Sequence, residues 1–128
     1  MQKIKIWVMT GASTAILLLS GCASQCVSVP STSKEATSFG SGFGQLKALP
    51  PSSREVDGFL QANITVKNKK SSTQNFQYQV QWFDQSGYNT GQPQPWTPVE
   101  VYADLSKTLS LTAPMQNARS YNIEFCAA

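Results

Sequence analysis

The sequence predicts an all-β fold: a small antiparallel β-sandwich, immunoglobulin-like, after a cleaved signal peptide and a flexible tether. Three observations predict it. Apolar residues recur at every second position in several short segments, the spacing of a strand with one buried face. Clusters of turn-forming residues separate those segments. After Cys22 no stretch sustains a helical period, and short strands at such spacing pack as two sheets rather than as an α/β fold. With 128 residues the chain holds one domain and a modest core.

In chain order, Met1–Lys5 is short and basic and Ile6–Leu19 is mostly apolar. A basic start before a run of roughly 7–15 apolar residues is the pattern of a secretory signal. A membrane-spanning helix needs about 20 apolar residues; this run is shorter and is interrupted by Thr10, Gly11, Ser13 and Thr14. Leu19-Ser20-Gly21-Cys22 is similar to the lipobox of bacterial lipoproteins: an aliphatic residue, two small residues, then a cysteine. Small side chains at Ser20 and Gly21 let a peptidase reach the backbone, and the Cys22 thiolate is the nucleophile that takes the lipid. The resemblance implies cleavage before Cys22 and acyl chains on Cys22; no other cofactor is expected, and two further cysteines without a histidine do not suggest a metal site. One acyl chain holds a protein marginally and two or more hold it stably. The same resemblance implies, from Ala23 in place of Asp, the outer membrane, with the domain in the periplasm; exposure at the cell surface is the alternative.

Residues 1–21 are thus expected to be removed, 22–42 to form the lipidated N-terminus and a Ser/Thr/Gly-rich tether, and 43–128 to form the sandwich. A flexible stretch of that length and composition spans about 25 Å. Of the three cysteines, lipid on Cys22 leaves Cys26 and Cys126 as an even pair in an oxidising compartment. Parity points to an intramolecular Cys26–Cys126 disulfide; two free thiols or an intermolecular bridge are the alternatives.

Strands follow from the alternation. Leu60, Ala62, Ile64 and Val66 alternate with polar residues, as do Phe76, Tyr78, Val80 and Trp82. The turn cluster 68–72 between them predicts two antiparallel neighbours. Asp84-Gln-Ser-Gly87 is a turn, with Tyr88–Asn89 opening a return. Gly91-Gln-Pro-Gln-Pro95 is a loop, because each proline lacks a ladder donor. Val99–Tyr102, Lys107–Thr112 and a terminal segment carrying Tyr121, Ile123 and Phe125 complete the set.

Charge and composition exclude several functions. Without Lys3 and Lys5, eight basic residues face seven acidic ones, a net of +1. A nucleic-acid binder needs a basic face that neutralises several phosphates, so no nucleic-acid partner is expected. There is no histidine, which removes the commonest general base, the commonest metal ligand and any Ser-His-Asp triad. Asp57, Asp84 and Asp104 all sit where a turn needs an Asp cap, which is a simpler account than a carboxylate pair for glycoside hydrolysis. Lys67, Lys69 and Lys70 keep a turn soluble or touch anionic lipid or wall polymer. Phe83, on the strand face opposite Trp82, forms with Tyr88 and Trp96 the candidate partner surface; burial under loops is the plainer alternative.

Several segments together carry a family resemblance: Ile64–Asn68, Ser72–Tyr78, Trp82–Gly87, Pro95-Trp96-Thr97-Pro98 and Ala113–Ala118 leading into Tyr121-Asn122-Ile123. The chain resembles the YcfL family of small lipoproteins of Gram-negative bacteria, from about Phe43 to Phe125. The resemblance implies a β-sandwich anchored to the outer membrane and facing the periplasm. It also brings an association with wall synthesis, since members are often encoded near a lipoprotein that activates a peptidoglycan synthase. Cys26 and Cys126 lie outside its pattern. The expected function is a non-enzymatic, lipid-anchored envelope protein that offers a sandwich surface to a periplasmic protein. The alternative is a lysozyme inhibitor or glycan-binding lipoprotein.

Overall fold

A computed structural model describes residues 25–40, 45–92 and 94–128. The chain there forms nine strands: β1 (Cys26–Pro30), β2 (Thr37–Ser38), β3 (Leu46–Ala48), β4 (Ser52–Val56), β5 (Phe59–Asn68), β6 (Gln74–Phe83), β7 (Thr97–Val101), β8 (Ser106–Thr112) and β9 (Ser120–Ala127). One sheet runs β1-β9-β6-β7; in the other, β5 pairs with β8 on one side and with β3 and β4 in succession on the other. Every pairing is antiparallel. The all-β sandwich that alternation predicts is the observed fold.

The alternating residues form its core. Ala62, Ile64 and Val66 of β5 are buried, as are Phe76, Val80 and Trp82 of β6 and Tyr121, Ile123 and Phe125 of β9. Trp82 and Tyr121 meet edge to face with ring centres 5.5 Å apart. Phe39, Phe76 and Phe125 form a second cluster, at 4.8 Å between Phe39 and Phe125 and 5.6 Å between Phe76 and Phe125. Burying each such ring is worth about 1.5–3 kcal/mol.

Two expectations change. β5 and β6 are not neighbours: they lie in different sheets. Each has a full apolar face, and the two faces cover each other across the sandwich, which side-by-side pairing would not achieve. Asn68 makes the crossover possible. Buried at the end of β5, it donates from Nδ2 to the carbonyls of Ser72 (2.9 Å), Val101 (3.0 Å) and Tyr102 (3.2 Å), and its Oδ1 accepts from Lys70 N (2.9 Å).

Residues 26–38 are also not a free tether. β1 runs along β9, β2 pairs with β3, and Phe39 enters the core. Ser and Thr in this stretch are outward or peripheral, while Val29 is buried opposite Ile123. Pairing with a hydrophobic terminal strand outweighs the flexible composition.

The register defines two ends of the sandwich. At one, the crossover end, lie Cys26 and Cys126, the start of β3 opposite Asn68, the link 69–73 and the β7–β8 link 102–105. At the far end lie the β4–β5 turn at Asp57-Gly58 and the turn after Phe83. Pro98 falls within β7, where its missing donor is harmless. β6 uses Trp82 and Asp84 to bond the returning segment, so Tyr78 and Phe76 face the same way and meet Thr97 and Val99, leaving Pro98 directed outward.

Candidate functional surface

On β6, Gln77, Gln79, Gln81 and Phe83 alternate with the buried Phe76, Val80 and Trp82, so they point away from the core. Register places Gln77 beside Cys126, Gln79 beside Glu124, Gln81 beside Asn122 and Phe83 beside Ser120. On the other flank Gln77 adjoins Pro98, and Gln79 Nε2 donates to the carbonyl of Gln94 at 2.7 Å. The outer face of this sheet is therefore rich in side-chain amides, which offer both donors and acceptors, with the carboxylate of Glu124 near its middle and that of Glu100 toward the end of β7.

Phe83 is half-buried, Tyr88 is 73% exposed and Trp96 is 40% exposed. Trp96 precedes Thr97, the partner of Tyr78, so by alternation it lies on the same outer face near Gln79. Four residues separate Gln79 from Phe83, or about 13 Å along the strand. Tyr88 is held beside Phe83 by a tight turn: Asp84 N donates to Tyr88 O at 2.8 Å, and Asp84 Oδ1 accepts from Ser86 N and Tyr88 N at 2.9 and 3.1 Å. Phe83 also bridges to Asn89. Phe83 and Trp96 thus lie on the outer face, whereas Tyr88, opposite Asp84 and next to Phe83's partner Asn89, projects to the other side at the end of the sheet, so the three predicted residues are not gathered on one face.

The carboxylates behave as turn residues. Asp57 and Asp104 adopt positive φ (54° and 60°) in their turns and Asp84 caps its own. They do not converge. Among the described residues the one grouping of three potential metal ligands is Cys26, Glu124 and Cys126, within 4.8 Å of one another. Its two sulfurs are joined to each other at 2.06 Å, with Cα atoms 4.1 Å apart, so no thiolate is offered to an ion. Cys26 and Cys126 face each other directly in the β1–β9 register. Because Ala127 N bonds Gln25 O and Ser31 N bonds Tyr121 O, the Cys26–Cys126 position is of the narrow, non-hydrogen-bonded kind.

A cleft opens behind the face, where β7 stops opposite Tyr78 and pairing to β6 resumes at Asn89. Two cavities of about 70 and 210 Å³ share Val80 and Trp82 as lining. Among the described residues the buried Trp82 Nε1–H has no acceptor. Composition alone gives no signal for this cleft.

The lysines are arranged differently from the sequence expectation. Lys67, Lys69 and Lys70 lie at a crossover between sheets, not at a hairpin tip. Pairing adds Lys47, directly opposite Lys67, a position hinted at by its place between the apolar Leu46 and Ala48. Leu19, Ser20, Gly21 and Cys22 lie outside the described residues.

The model of the family described as DUF1425, a protein of unknown function, matches residues 42–125. The chain belongs to the DUF1425 family. The resemblance to YcfL-like proteins agrees with this assignment. Two solved structures share the DUF1425 chain's fold. A family member from Shewanella sp. PV-4 superposes with a TM-score of 0.63 at 18% identity, covering 76% of this chain and 93% of that one. Campylobacter jejuni Cj0090 superposes with a TM-score of 0.54 at 18% identity, covering 69% of this chain and 88% of that one. No curated protein matches the DUF1425 chain in sequence.

Proposed function

We propose that this chain is a non-enzymatic envelope lipoprotein. It is acylated at Cys22, anchored to the outer membrane, and offers the outer face of the β1-β9-β6-β7 sheet to a periplasmic protein engaged in wall synthesis or envelope assembly. The observation that carries the reading is the union of a lipobox with an amide-rich face bearing Phe83 and Trp96, with the exposed Tyr88 at its end. Amides with exposed aromatics suit a protein partner better than a charged polymer. The Cys26–Cys126 bond supports an oxidising compartment. The absence of histidine and the turn roles of Asp57, Asp84 and Asp104 support a role other than catalysis.

The test is crosslinking in cells at native expression, followed by recovery of the acylated protein. One protein partner is expected, lost on combined Phe83→Ser, Tyr88→Ser and Trp96→Ser substitution. Recovery of the same proteins with that variant refutes the assigned surface. Exposed Trp96 also favours a second reading, a lysozyme inhibitor or glycan-binding protein. Quenching of tryptophan fluorescence by lysozyme or muropeptides, abolished by Trp96→Phe, would select it.

A further inference from the structure

We propose that the crossover end of the sandwich is a docking surface for anionic phospholipid headgroups, so that the domain stands on the bilayer rather than swinging above it. The proposal rests on the lipid-anchor reading for its geometry. Cys22 and Gln25 are three peptide units apart, at most about 11 Å when extended. Gln25 itself is held: Ala127 N bonds Gln25 O at 2.9 Å, and the next residue, Cys26, is bonded to Cys126. The leash is therefore three residues, not twenty, and it leaves from the crossover end. That distance is close to the screening length of about 8 Å at physiological salt, so charges at this end feel the membrane surface.

The charges there have the matching sign. Lys47, Lys67, Lys69, Lys70 and Lys107 lie at the crossover end, with Glu100, Asp104 and Glu124, the last within 4.8 Å of the Cys26 and Cys126 sulfurs, as the opposing acids. This end takes five of the eight basic residues beyond Cys22 and three of the seven acidic ones, leaving three basic and four acidic residues elsewhere, a net of −1.

The arrangement also disfavours an internal purpose. Lys47 and Lys67 are directly opposed on the outward face of their sheet, where like charges destabilise the pair. Lys47 and Lys69 line one groove of about 230 Å³ with Ser38, Gly40 and Gln45. Among the described residues none of the five lysines has a carboxylate partner. Tyr102 and Leu105, in the link between β7 and β8, are 60% and 56% exposed beside them. An aromatic and an aliphatic side chain flanked by lysines is the composition of an interfacial anchor.

The test uses the acylated protein reconstituted into vesicles of phosphatidylethanolamine with phosphatidylglycerol, or of phosphatidylcholine alone, followed by hydrogen–deuterium exchange. Amides of residues 67–73 and 102–107 are expected to exchange about fivefold more slowly on the anionic vesicles. High salt should remove the difference, as should Lys47→Gln/Lys67→Gln/Lys69→Gln, a variant expected to be at least as stable as the parent. Arg54→Gln/Arg119→Gln should retain it. Equal exchange on both lipids overturns the docking surface. The mass of the Cys22 peptide in the same sample reads the anchor separately. An acylated peptide without protection leaves the anchor standing and removes the surface. An unacylated peptide removes the anchor, and sedimentation of that chain with anionic vesicles then decides the surface: pelleting supports it and a soluble chain overturns it.

Discussion

The Asn68 side chain donates to the carbonyl of Val101 at 3.0 Å, in the buried interior of the sandwich. This one amide ties the last residue of β5 to the last residue of β7 and so links the two sheets. Replacing it with Ala takes a donor from three carbonyls, of which Tyr102 O keeps Leu105 N, and leaves the Lys70 amide without the oxygen it donates to. Asn68→Ala is expected to lower stability by about 2–3 kcal/mol, read as a lower midpoint in urea with little change in slope. Asn68→Asp, which keeps the acceptor and loses the donors, should be about as damaging.

The Cys26–Cys126 bond closes a loop of sequence separation 100. Loop-closure entropy credits such a link with up to about 4.7 kcal/mol. Because β1 would still pair with β9 without it, Cys26→Ser/Cys126→Ser is expected to cost about 3 kcal/mol. Alkylation of the native protein should label neither cysteine before reduction and both after it.

Gly58 and Gly87 separate two costs. Both have positive φ, 86° and 91°, but a Cβ at Gly58 would meet Gln116 Nε2 at 3.1 Å while one at Gly87 meets nothing within 4 Å. Gly87→Ala should cost about 1 kcal/mol of backbone strain. Gly58→Ala should cost at least as much, by thermal unfolding, with Gln116→Ala narrowing the gap.

Tyr121 Oη and Ser53 Oγ lie 2.9 Å apart between the sheets. Tyr121→Phe and Ser53→Ala are each expected to cost about 0.5–1.5 kcal/mol. The double variant should cost less than the sum of the two, the coupling expected of groups in direct contact.

Much of this structure was legible because one-faced burial writes itself as alternation. β5, β6 and β9 show it in full, and the Asp57-Gly58 and Asp84–Gly87 turns follow from their residue types. Partnership was less legible. Period two says which residues face inward, not which strand lies alongside, and the crossover after Asn68 depends on a side-chain cap that no spacing announces. β4 reads Ser-Ser-Arg-Glu-Val, an edge strand without an apolar face to display. β1 has two valines in a polar stretch and is recruited by β9. At the candidate surface, alternation put Phe83 opposite Trp82. The joint placement of Lys47 with Lys67 needed the β3–β5 register.

Lys107 stands opposite Val66 and so projects from the core side of β8, a strand that pairs with β5 alone among the described residues. A second molecule adding its own edge there would have to seal that ammonium away from water without a counter-ion. Copies crowded together would thus be kept from zipping edge to edge along β8.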